Sequence, residues 1–78
     1  MKKRSLSIAG HRTSVALEPE FWEGAEALAA ERGVSLVDLI RDIDEARTGT
    51  NLSSAIRVAV LAWYREASAR RTNGSVSG

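Results

Sequence analysis

Arg12-Thr13-Ser14-Val15-Ala16-Leu17, followed at once by Glu18-Pro19-Glu20-Phe21-Trp22, decides how this chain folds. In the first six residues Thr13, Val15 and Leu17 fall on one face and Arg12, Ser14 and Ala16 on the other, the period-two pattern of a β-strand with one buried side. Proline then suits the first turn of a helix, and Glu18, Glu20 and Glu23 complement the positive end of its dipole. A strand therefore hands over directly to a helix at Leu17.

Toward the N-terminus, Ser5-Leu6-Ser7-Ile8 also alternates, but Gly10 separates it from the later run. It is either a strand extension or an ordered arm. Toward the C-terminus, Phe21, Ala25, Leu28 and Ala29 recur at helical spacing until Gly33, the expected C-cap. Ser35 is a natural N-cap for a second helix, with Asp38 three residues on, and Leu36, Leu39, Ile40 and Ile43 supply its buried face. Thr48-Gly49-Thr50-Asn51 is a turn, after which Asn51 or Ser53 caps a third helix running to about Arg71. Leu52, Ile56, Val60 and Trp63 form one stripe of that helix, widened by Val58, Ala59, Leu61 and Ala62. So broad a face wants burial on more than one side. The chain thus divides into a basic arm (1–11), a strand-helix-helix core (12–47), a C-terminal helix (51–71) and a polar tail too poor in apolar area to order itself (72–78).

Seventy-eight residues without cysteine and with one histidine, His11, leave neither disulfides nor a metal to support a small core. Below roughly 80 residues such a core supplies only about 3–5 kcal/mol, so a partner subunit is expected. The lack of cysteine fits a reducing cytoplasm. Arg57 and Arg65 bracket the most apolar stretch, so no membrane span is expected. The net charge of +1 says little, but its distribution is uneven. Residues 1–18 carry Lys2, Lys3, Arg4 and Arg12 against Glu18, and residues 19–47 carry eight acids against three arginines. A basic arm of this kind suits a polyanion.

A lone short strand cannot persist in water, because its backbone groups need a ladder partner. The economical solution is two copies pairing their Arg12-to-Leu17 strands antiparallel over a shared core of Val15, Leu17, Phe21, Leu28, Leu39, Ile40 and Ile43. Arg12, Ser14 and Ala16 would then face outward twice, on a two-stranded ribbon that fits the major groove of double-stranded DNA. Val34, Ser35 and Leu36 offer backbone N–H groups at a helix start, a geometry suited to phosphate. Lys2, Lys3 and Arg4 are either a solubilising arm or further phosphate contacts. His11 lacks a companion ligand or base, and Asp42, Asp44 and Glu45 point in different directions on a helix. Neither cofactor, metal nor catalysis is implied, for want of any nucleophile-base pair. Trp22 and Trp63 read as core or interface aromatics.

The order strand, helix, Gly-x-Ser, helix resembles the ribbon-helix-helix family of the methionine and Arc repressors. Val15 and Gly33 hold that family's spacing of eighteen positions. Arg4-Ser5, Ile8-Ala9-Gly10-His11-Arg12-Thr13-Ser14, Leu17-Glu18-Pro19-Glu20-Phe21-Trp22 and Asn51-Leu52-Ser53-Ser54-Ala55-Ile56-Arg57-Val58 are similar to a bacterial subgroup, over roughly Arg4 to Tyr64. The resemblance implies a mostly α fold with one short strand. It also implies an intersubunit antiparallel two-stranded sheet in an intertwined homodimer, plus an added third helix. It puts Arg12, Ser14 and Ala16 at the base-facing positions and Val34, Ser35 and Leu36 at the phosphate clamp. Ala16 departs from the polar residue usual there, and in an alternative register Ser53 would start the clamp. The implied function is DNA-binding regulation. The alternative is an antitoxin-like module whose C-terminal helix binds a partner protein.

Overall fold

The computed structural model describes the backbone of residues 1–77 and the side chains of residues 1–69. Two strands, β1 (Lys2–Ile8) and β2 (His11–Leu17), precede three helices, α1 (Pro19–Arg32), α2 (Leu36–Ala46) and α3 (Leu52–Ser77). The strands form a two-stranded antiparallel sheet in which Ile8 faces His11, Ser7 faces Arg12, Ser5 faces Ser14 and Lys3 faces Ala16. A mostly helical chain with such a sheet and a third helix is the architecture expected. The source of the second strand is not.

The sequence leads one to expect that strand from another copy; it comes instead from residues 2–8 of the same chain, so the segment read as an arm is β1. Ala9 and Gly10 make the difference, with φ of 49° and 83°. Positive φ at both central residues is what a two-residue type I′ hairpin loop requires. Closing so short a loop costs little entropy, so one edge of β2 finds its ladder partner within the chain.

One face of the hairpin is packed. Ile8, Val15 and Leu17 are buried beneath it and Leu6 is half-buried. α2 lies against β1, while α1 and α3 lie against β2. Trp22, Ala25, Leu28 and Ala29 of α1, Leu39 and Ile40 of α2, and Ile56 and Val60 of α3 complete one core. Val15, Leu17, Leu28, Leu39 and Ile40, expected at a shared dimer core, are thus buried within a single chain, with Phe21 and Ile43 half-buried beside them. α1 and α3 are tightly packed at Gly24, where an added Cβ would sit 2.5 Å from Val60 Cγ1 and 3.2 Å from Tyr64 Cε2.

The helix ends follow the expected chemistry in most places. Gly33 adopts φ 71°, and the N–H groups of Gly33 and Val34 donate to the Ala30 and Ala29 carbonyls at 3.1 and 3.0 Å. This is the paired bonding of a Schellman motif. Ser35 Oγ accepts the Asp38 N–H at 3.0 Å, and Asn51 Oδ1 accepts the Ser54 N–H at 2.8 Å. Asn51 is therefore the cap of α3, and Ser53 lies inside its first turn. The helix runs through Ser77 rather than stopping near Arg71. The tail expected over 72–78 ends in Gly78, which lies outside the described residues, as do the side chains from 70 onward.

Candidate nucleic-acid interface

Opposite residues of an antiparallel pair share a face. The ladder therefore sorts Lys3, Ser5 and Ser7 of β1 with Arg12, Ser14 and Ala16 of β2 on the side away from the helices. All are exposed except Ala16, which is half-exposed. The three strand residues expected to face outward do so. Their neighbours Ser5 and Ser7 were not singled out from the sequence, although the alternation of Ser5-Leu6-Ser7-Ile8 carried the signal.

No aspartate or glutamate occurs in residues 1–17, so this face bears cations and hydroxyls only. Two carboxylates that meet arginines beside the sheet are themselves occupied. Glu26 accepts from Arg4 Nη1 at 3.3 Å, and Glu18 accepts from Arg57 Nε at 2.9 Å. The Arg57 hydrogen bond, helped by Glu18's own backbone N–H, holds the Glu18 carboxyl below its ordinary value of 4.5. Arg57, which from sequence could meet either an acid or a phosphate, is committed to the acid, and its guanidinium also lies 5.9 Å from the Phe21 ring centre.

The residues expected at phosphates separate into three groups. Lys2 and Lys3 are exposed along β1. Arg4 is turned to the helical side, where its guanidinium lies 4.6 Å over the Trp22 ring and pairs with Glu26. Trp22 is buried, and its Nε1–H donates to the Lys2 carbonyl at 2.8 Å, so this cluster fastens β1 to α1. Of the three clamp residues, Val34 has its N–H engaged with Ala29. That correction leaves Ser35 and Leu36 at the start of α2, in the helical layer. The clamp residues and the hairpin face therefore belong to different layers of the fold.

Elsewhere, His11 is exposed at the hairpin end. Asp44 pairs with Arg47 at 2.6 Å, and Asp38 and Asp42 flank Arg41 at 3.5 and 3.8 Å. Among the described residues no helix is long and apolar enough to cross a membrane. α3 leaves Val58, Leu61 and Tyr64 exposed by 66%, 53% and 49%. The breadth noted in its sequence is therefore not absorbed by this chain's own core.

No curated protein and no solved structure gives a significant match to the chain. A family model does, the ribbon-helix-helix domain, and it matches residues 1–64, from the first strand into α3. With that match over most of its length, and with a two-stranded antiparallel ribbon leading into helices joined through Gly33, the chain belongs to the ribbon-helix-helix domain family.

Proposed function

We propose that this chain is a sequence-specific DNA-binding transcriptional regulator, a repressor or autoregulator of the bacterial cytoplasm, acting as a homodimer without catalytic activity. Ribbon-helix-helix domains typically serve in DNA-binding regulators or antitoxins. The observation that carries the reading here is the outer face of the hairpin, exposed, free of acids and displaying Arg12 and Ser14 beside Ala16. Arginine donates to guanine in the major groove, a serine hydroxyl serves either base edge, and the Ala16 methyl suits thymine. Lys2 and Lys3, with the N–H groups of Ser35 and Leu36, are assigned to phosphates, which position the protein without reading sequence. Arg12→Ala should weaken binding to the cognate site by about 1–3 kcal/mol, the worth of a good base contact, while the fold is kept. An electrophoretic titration at fixed salt checks this, and unchanged affinity would remove the assignment.

A second copy is assigned to α3, whose exposed Val58, Leu61 and Tyr64 require cover. The same observation favours a second reading, in which this helix face takes a partner protein, as in an antitoxin. The oligomeric state of the purified chain separates the two: a dimer closed through α3 supports the regulator, and a monomer supports the partner-protein reading.

A further inference from the structure

Resting on the DNA reading above, we propose that Arg57 and Arg4 serve the nucleic-acid interface without touching it. Each cancels a carboxylate at the border of the sheet, Glu18 and Glu26 respectively, whose bare charge would repel the DNA phosphates.

From sequence both arginines suit a phosphate; the structure gives each an acid instead, in the same three-part cluster built twice. Arg57 Nε donates to Glu18 Oε1 at 2.9 Å, with its guanidinium 5.9 Å from the Phe21 ring centre. Arg4 Nη1 donates to Glu26 Oε2 at 3.3 Å, with its guanidinium 4.6 Å over Trp22. A guanidinium held by both a carboxylate and an aromatic face has two contacts to break before it reaches a phosphate.

Position explains why these acids need a partner. Glu18 follows β2 directly, its backbone extended at φ −60° and ψ 147°. It stands two residues beyond Ala16 of the outer face, about 6.7 Å along the chain. That is inside the screening length of about 8 Å at physiological salt. Glu26 reaches β1 at Arg4, whose neighbours Lys3 and Ser5 face outward. The two carboxylate side chains keep solvent contact, 41% exposed at Glu18 and 53% at Glu26, so their charge is felt outside the fold. Lys3 and Arg12 are the cations of the outer face, and two bare carboxylates at its border would offset both. Exposed ion pairs add little to stability, whereas a charge at this border acts on every phosphate within the screening length.

The test titrates full-length variants at fixed salt against a duplex selected by the wild type and against an unrelated duplex, with thermal melting to verify the fold. Arg57→Gln and Arg4→Gln should each weaken both duplexes alike, by about two- to fivefold, the scale of one like-charge repulsion at this range in water. Adding Glu18→Gln to the first, or Glu26→Gln to the second, should restore wild-type affinity. Glu18→Gln alone should bind at least as tightly as the wild type, and Arg57→Lys, which keeps the charge, should match it. Arg65→Gln removes the same charge eight residues farther along α3 and should change binding by less than about twofold. If Arg57→Gln stays weak with Glu18→Gln added, and the slope of log affinity against log salt falls by about 0.9, the arginine contacts a phosphate itself. This inference is then overturned with the DNA reading intact. Wild-type affinity in Arg57→Gln and Arg4→Gln, or an equal loss in Arg65→Gln, overturns it as well. Should Arg57→Gln fail to fold, Glu18→Gln decides, and affinity below the wild type overturns the inference. If the wild type binds neither duplex, the DNA reading falls and this inference with it.

Discussion

Ala9 carries the tightest backbone constraint in the hairpin. At φ 49° its Cβ crowds the following carbonyl, a cost of about 1–2 kcal/mol for an L residue. Asparagine tolerates this region and precedes glycine in the favoured type I′ loops. Ala9→Asn should therefore stabilise the protein by about 1 kcal/mol, read as a higher urea midpoint with an unchanged slope; a lower midpoint would mean that the loop is not under this strain. The same residue explains why the hairpin was illegible. Asn-Gly between two alternating runs announces a turn, whereas Ala-Gly does not, and the burial of Ile8 and Leu6 on the packed face of the hairpin is not visible from the loop residues themselves. Glu18 offers a pH test at the same scale. Its carboxyl is held low by Arg57 in the folded state, so the pair adds stability above the unfolded glutamate value and loses it as pH falls through the lowered folded value. Wild type and Glu18→Gln should differ in melting temperature at neutral pH and converge in acid. A gap that stays constant to pH 3, roughly one unit below the unfolded glutamate value, would contradict the role of this contact.

Among the elements, helix faces were the most legible part of the fold. The stripes Ala25, Leu28, Ala29 and Ile56, Val60 are buried as their spacing demanded, and Ser35 caps α2 as its position suggested. Helical period and local capping depend on neighbours in sequence, so they survive any uncertainty about topology. Gly24 was not legible, because its role is set by a helix more than thirty residues away: Val60 occupies the place of its absent Cβ. Gly24→Ala should thus destabilise by about 1–2 kcal/mol in spite of alanine's better helix propensity, and Val60→Ala should offset part of that loss in the double variant. Additive losses in a denaturant cycle would show that the close approach does not control the packing of α1 on α3. Val34 went the same way as Gly24. The sequence placed it at a phosphate-binding helix start, but the Schellman bond to Ala29 consumes its N–H.

At the scale of the molecule, the charge segregation seen in the sequence becomes a two-sided object, with an acid-free sheet face in front and a helical layer behind. The core closes within one chain, so the homodimer proposed above is assigned to the exposed face of α3. Val58→Lys combined with Leu61→Lys should convert a dimer to monomers without lowering the melting temperature of the subunit, as measured by light scattering and thermal melting. Persistence of the dimer would place its interface elsewhere. The central claim concerns the other side of the molecule, and amide chemical-shift mapping with a selected duplex tests it most directly. The largest changes should fall on Lys3, Ser5, Ser7, Arg12 and Ser14, with α3 little affected. Shifts confined to α3, or none at saturating duplex, would contradict it.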